Sequence, residues 1–253
     1  MRIQTPRGLT LAGTFVNPVD STDAAVLFSH SFLANRHSGD HFDRLARVYR
    51  SAGYATLEFD YSGHGESDDD IITTEHQVED LRSASGWLDD QGFGRQLIHG
   101  HSFGAVSAMI ASPPAAETMV LSGAITGPLS FDWEAIFSGV QLDDLEQHGV
   151  TTIPDDTPGP RRNFTISKQT LVDLSMVDSG AVFSALKHPV LLIHDKDDEQ
   201  VGLVEMTQAN FPRFPKGTQV EVVHGASFGV GQNPRALSDA SLAWAKLRVP
   251  VIR

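Results

Sequence analysis

The sequence predicts an α/β fold: a mostly parallel central sheet with helices on both faces. Three observations carry this. Short apolar runs bounded by turn residues take turns with stretches of helical periodicity from residue 24 to about residue 247. The runs are continuous rather than alternating, as in Ala24-Ala25-Val26-Leu27-Phe28, which suits strands buried on both faces. A chain of 253 residues with 40% hydrophobic residues is enough for one large α/β domain and a sizeable core.

Taken in order, the chain opens on a β-hairpin. Ile3 and Gln4 lead to a turn at Pro6-Arg7-Gly8, followed by alternating Leu9, Leu11 and Phe15. After the strand at 24–28, Phe42, Leu45, Ala46, Val48 and Tyr49 recur at helical spacing until Ser51-Ala52-Gly53 closes the helix. A strand at 54–59, a polar Gly-rich loop at 60–70 and a helix over about 74–91 come next. Strands at 96–99, 119–121, 189–193 and 220–223 then alternate with helices at 105–111, 204–211 and 235–247. One stretch breaks the rhythm. Residues 127–185 contain no run that reads as a buried strand, only Pro, Gly, acidic pairs and short helical patterns such as 131–137 and 170–174. The domain reading is therefore a core made of 1–126 and 186–253, with 127–185 inserted as a mainly helical cap or lid.

Composition narrows the partners. With 19 basic and 32 acidic side chains the net charge is −13, which argues against nucleic acid or an anionic membrane as a partner. The absence of cysteine excludes disulfides, thiolate zinc sites and a cysteine nucleophile. No apolar run reaches the roughly eighteen residues that span a bilayer. The first eight residues lack a signal-peptide core, so a cytoplasmic location is expected.

Active sites of such sheets lie beyond the carboxyl ends of the strands. There the run Gly100-His101-Ser102-Phe103-Gly104 joins a predicted strand to a predicted helix. The G-x-S-x-G spacing has a steric cause: strand and helix approach so closely around a strained turn that the positions two residues either side cannot carry bulk. The helix start would then point its positive end at a developing oxyanion.

At this turn the chain resembles the α/β-hydrolase superfamily, and within it the cinnamoyl (feruloyl) esterase-like branch of small carboxylesterases. Three further segments carry the likeness in order. His30-Ser31-Phe32-Leu33-Ala34-Asn35-Arg36 is similar to the loop that supplies half of an oxyanion hole, with Ser31 where the family usually has Gly. Phe59-Asp60-Tyr61-Ser62-Gly63-His64-Gly65-Glu66-Ser67 is similar to the family's Gly-His-Gly-x-Ser loop, and residues 190–201 to the strand and turn that end in the triad acid. The resemblance implies an α/β-hydrolase fold with Ser102 as nucleophile and the Phe32 and Phe103 amides as oxyanion donors. His30 and His64 read as loop-organising histidines. The family pattern Gly-x-x-Asp-x-x-Val, counted back from Val201, puts the acid at Asp198; Asp195 and Asp197 then read as solvated loop acids.

The base departs from the family. After the strand at 220–223 the resemblance calls for Gly-Ala-x-His, and the chain has Gly225-Ala226-Ser227-Phe228. Phe228 stands at the position of the expected histidine and can take no proton from Ser102. Three explanations stay open: an introduced substitution, a natural chain that binds ligand without turning it over or uses another chemistry, or His224 serving as the alternative base.

Other patterns weigh less. His37 and His41 would share a helix face but lack the Glu of a zincin, and Asp195, Asp197 and Asp198 lack a calcium-loop spacing, so no metal is expected. Asp68-Asp69-Asp70 reads as a solvated run before a helix. Without G-x-G-x-x-G or a P-loop, no organic cofactor is implied. The resulting expectation is a serine carboxylic-ester hydrolase scaffold acting on a small-molecule ester. The alternative is a non-catalytic small-molecule binding pseudoenzyme on the same fold.

Overall fold

Strands that are apolar on both sides must be covered on both faces, and the core is built that way. In β3 (Ala24–Ser29), Ala24, Val26 and Phe28 pack into one cluster while Ala25 and Leu27 pack into the other. The first cluster is closed by α1 (His41–Ser51) through Phe42, Leu45 and Tyr49, and by α10 (Pro234–Arg248) through Leu237, Trp244 and Ala245. The second is closed by α2 (Thr74–Asp90) through Val78, Leu81 and Leu88, and by α3 (Phe103–Ala111) through Val106 and Met109. Each fully buried Leu or Phe contributes about 1.5–3 kcal/mol, so these two layers supply most of the driving force. The computed structural model describes residues 1–18, 23–224 and 234–252.

Among the described residues the central sheet has eight strands. They run in the order β1 (Arg2–Gln4), β2 (Thr10–Val16), β4 (Ala55–Phe59), β3, β5 (Arg95–His101), β6 (Ala116–Ser122), β9 (Val190–Asp195) and β10 (Gln219–Val223). From β4 to β10 every pairing is parallel; β2 is antiparallel to β4, and β1 to β2. The predicted opening hairpin and the alternation are thus present. The carboxyl ends of β3, β4, β5, β9 and β10 share one edge, and every segment singled out above leaves from it. No described helix is long and apolar enough to cross a membrane.

The stretch between β6 and β9 differs from its prediction. It holds α4 (Trp133–Ile136), α5 (Gly139–Gln147), α6 (Lys168–Ser175) and α7 (Ser179–Ala185), but also an antiparallel hairpin of β7 (Val150–Pro154) and β8 (Asn163–Ser167). The strands were missed because Val150-Thr151-Thr152-Ile153-Pro154 is half-exposed and pairs only with its neighbour, so no buried run marks it. The helix expected over 131–137 contracts to the single turn of α4.

The hairpin is fastened to the core by polar contacts. Arg161 beside β8 donates to the carbonyls of Gly65 (3.3 Å) and Ser67 (2.7 Å) and pairs with Asp69 at 2.6 Å. Ile72 N donates to Thr165 O (3.0 Å), and Thr170 Oγ1 donates to Ile72 O (2.5 Å). Asp68 and Asp69 are exposed, as a solvated run should be, but all three acids also serve as anchors. Asp68 accepts from Thr10 N at 2.7 Å, Asp69 meets Arg161, and Asp70 pairs with Arg7 at 3.2 Å. His37 and His41 do not share a helix face either, because α1 begins only at His41.

Five histidines depressed by burial gather toward the carboxyl edge. Burial lowers His30 from its ordinary 6.5, holds His64 and His99 well below it, and pushes His41 to about 3 and His101 to about 4. Burial thus disfavours the charged form of each in the folded chain, whereas the unfolded chain protonates them near 6.5. Buried Glu58, pushed up to about 7, and Asp80, also raised, act in the opposite sense but are fewer. Stability should therefore hold above pH 6.5 and fall steadily from there toward pH 4. Urea midpoints measured across that range check this, and a flat profile would contradict the depressed histidines.

Candidate active site

The turn after β5 is strained because two backbones nearly touch. Ser102 has φ 53° and ψ −121°, a region that non-glycine residues enter at a cost of about 1–3 kcal/mol. Two hydrogen bonds hold it there: Ser102 N donates to Ser122 O and Ala105 N donates to Ser102 O, both at 2.9 Å. A methyl on Gly104 would stand 2.2 Å from Ser29 O and 2.4 Å from His30 O, and one on Gly100 would stand 2.8 Å from Ala105 Cα. Both glycines are thus demanded by the packing of α3 against β3 and β5. Ser102 is half-buried at the first position before α3, and its Oγ makes no hydrogen bond among the described residues.

The neighbouring loop comes from β3. Ser29 Oγ donates to Gly104 O (2.7 Å) and shares a 2.5 Å hydrogen bond with Tyr61 Oη, which ties the end of β3 to the start of α3. His30 donates through Nδ1 to Ser31 O (2.8 Å) and accepts from Tyr61 N at Nε2 (3.2 Å), so its tautomer is set by the backbone. His64 likewise donates through Nδ1 to Ser62 O at 3.0 Å. Beyond them the Phe32 and Phe103 rings meet edge to face with centroids 6.3 Å apart. Neither the Phe32 nor the Phe103 amide is spent in a hydrogen bond among the described residues.

Asp60 fastens this loop from below. Its carboxylate is 1% exposed and accepts from Arg36 N (2.7 Å), from the Arg36 guanidinium and from Glu66 N (3.0 Å). Gly65 passes so close that a methyl there would meet the same carboxylate at 2.3 Å. The sequence reading did not assign this organiser. Its signal was an Asp at the carboxyl end of a strand, followed by a Gly-rich loop.

Asp198 lies where β9 turns back. The segment read as a loop is a short helix, α8 (Lys196–Gln200), and Asp195 is its cap rather than a solvated acid: it is 3% exposed and accepts from Lys196 N. Asp198 is 7% exposed, and its Oδ2 accepts from Asp195 N at 2.9 Å. Oδ1 makes no hydrogen bond among the described residues. The D-x-x-D spacing of a reciprocal cap was the signal available for Asp195. Asp198 also lies close enough to His101 to oppose the burial that depresses it, while His101 Nδ1 meets Ser122 Oγ at 3.0 Å.

The two base candidates fare differently. Phe228 lies outside the described residues. His224 is exposed just past the end of β10, an edge strand three ladder spacings from β5. At about 4.8 Å per spacing the strands are roughly 14 Å apart, more than an imidazole side chain spans. Among the candidates, then, Ser102, Phe32 and Phe103 come together, Asp198 stands two strands from Ser102 with Oδ1 free of hydrogen bonds among the described residues, and His224 follows a strand three spacings from β5.

A narrow void lined by Phe32, Ile72, Gln77, Phe103, Thr170 and Leu174 lies between this site and α6, with free space of about 10 Å³, room for roughly one water. A larger open cleft of about 530 Å³ lies beside Arg161 and Arg162, away from Ser102.

Comparison with known proteins agrees with this architecture. A 2-hydroxy-6-oxononadienedioate/2-hydroxy-6-oxononatrienedioate hydrolase of Burkholderia vietnamiensis is 24% identical over 215 residues, covering 73% of this chain and 74% of that one. The esterase domain of a Rhodothermus marinus protein superposes with a TM-score of 0.69 at 23% identity, covering 98% and 97% of the two chains. Est1E of Butyrivibrio proteoclasticus, solved with ferulic acid bound, superposes with a TM-score of 0.71 at 18% identity, covering 98% and 99%. At these identities the two structures speak to the fold. Residues 26–240 match the family described as the alpha/beta hydrolase family, and with the strained turn at the end of β5 this places the chain in that family.

Proposed function

We propose that the chain is a serine hydrolase scaffold for small carboxylic esters, with Ser102 as nucleophile. The observation that carries this is the strained turn: a half-buried serine with an unspent hydroxyl, at the start of α3, beside two unspent amides. In this reading Ser102 Oγ attacks the acyl carbon, and the Phe32 and Phe103 N–H groups hold the oxygen that becomes negative. The alcohol leaves, and water then releases the acid. Asp198 orients a histidine that would bridge β5 and β9, about 10 Å apart across two ladder spacings. Esters are favoured among acyl substrates by the resemblance of residues 30–36, 59–67 and 190–201 to the esterase branch, and by the likeness to Est1E and the Rhodothermus esterase domain.

A second reading rests on one specific residue. Phe228 occupies the sequence position where the family has its base, so the chain as it stands would bind an ester without efficient turnover. Loss of one member of such a triad costs about 10⁴- to 10⁶-fold in rate.

Residues 127–185 act in this proposal as a lid. The void beside Phe32 and Phe103 is too small for an acyl chain, so α6 must move before substrate enters. The fastenings to be released are the Thr170–Ile72 and Asp173–Thr74 hydrogen bonds and the Arg161 clamp.

Two measurements test the reading. Hydrolysis of a p-nitrophenyl ester should rise by at least about 10³-fold in Phe228→His, and Ser102→Ala should abolish it in either background. Activity that survives Ser102→Ala would end the serine mechanism, and a Phe228→His chain no faster than the parent would remove Phe228 from the base position. For the lid, Arg161→Ala should speed proteolytic cleavage within 155–162 several-fold while leaving the urea midpoint of the core almost unchanged. Equal cleavage rates would show that Arg161 does not hold the hairpin.

A further inference from the structure

Asp198 has a second neighbour that the proposed mechanism does not use. His194 lies in β9, fully buried, and the sharp turn from β9 into α8 folds Asp198 back over it at i+4. Its Nε2 stands 2.8 Å from Thr207 Oγ1 of α9 (Leu203–Asn210), itself fully buried. Its Nδ1 stands 3.4 Å from Asp198 Oδ2 and has no hydrogen-bond partner among the described residues.

The chemistry of the three groups fixes the proton. A neutral imidazole carries one N–H and one lone pair. A carboxylate is acceptor-only, so a lone pair on Nδ1 would face the negative oxygen and be repelled. The proton therefore belongs on Nδ1, and the lone pair on Nε2 accepts from Thr207. That hydroxyl is available, because it makes no other hydrogen bond among the described residues.

We infer that His194 is a positioning residue for the acid, resting on the reading of Asp198 given above: Nδ1–H holds Oδ2 beside the Asp195 N–H and leaves Oδ1 for the base. Thr207 completes the arrangement by supplying the donor that Nε2 needs.

The decisive measurement is the ring nitrogen spectrum of His194 in ¹⁵N-labelled protein at pH 8. The native chain should show the Nδ1–H tautomer, and Asp198→Ala should move it toward the ordinary Nε2–H form. In the Phe228→His chain, His194→Leu should lower kcat for a p-nitrophenyl ester about tenfold with KM unchanged, a loss comparable to that of outer partners of metal ligands. His194→Asn, which keeps a donor near the Nδ1 position, should recover most of it. An Nε2–H tautomer in the native chain, or a tautomer indifferent to Asp198→Ala, would overturn the inference. If instead the Phe228→His chain hydrolyses no ester, the catalytic reading fails, and the tautomer measurement still decides whether His194 holds Asp198.

Discussion

The contact between Gly104 and the carbonyls of Ser29 and His30 is the constraint on which the rest of the site depends. Where a methyl would stand 2.2 Å from one oxygen and 2.4 Å from the other, only glycine lets α3 come this close to β3. That closeness forces the backbone at Ser102 into positive φ. It also brings the Phe32 loop, which follows directly from His30, against Phe103. The strained turn at Ser102 and the two neighbouring amides without hydrogen bonds among the described residues are thus products of one close approach between two backbones, locked by the Ser29–Gly104 hydrogen bond.

Acidic side chains organise the loops that surround this contact, and each does so by accepting backbone N–H groups. Asp60 gathers Arg36 and Glu66, Asp198 takes Asp195 N, and Asp80 accepts Ser62 N at 2.8 Å. A buried carboxylate without partners would be costly, but one satisfied by several donors fixes the loops that supply them. Part of the acidic excess therefore builds the carboxyl edge instead of serving as solvated surface.

The inserted segment is joined to the same edge by two kinds of force. Polar clamps run through Arg161, Thr165 and Thr170, while a small apolar cluster of Ile72, Phe137, Phe164 and Ile166 packs against Phe32 and Leu33. Phe32 thus belongs at once to the loop after β3 and to the contact with the inserted segment. Because the same ring also meets Phe103, the inserted segment and the Ser102 turn share a contact residue.

Much of this was legible in the chain. Doubly buried strands leave continuous apolar runs, and steric demands at one turn leave a pair of glycines, so the parallel sheet and the position of Ser102 could be read directly. The β7–β8 hairpin could not, because its two short strands lie outside the central sheet and alternate buried with exposed residues, so no continuous apolar run marks them. Nor could the roles of Asp60, Asp195 and His194, which depend on donors brought together by folding: Arg36 across 24 positions, and Thr207 from a different helix. The layers, the order of the elements and the strained turn could be read from the residues alone, since these follow from local pattern and hydrophobic burial. Which acids serve as anchors and which hydroxyl meets His194 follows from folding instead, because those contacts join segments remote in the chain.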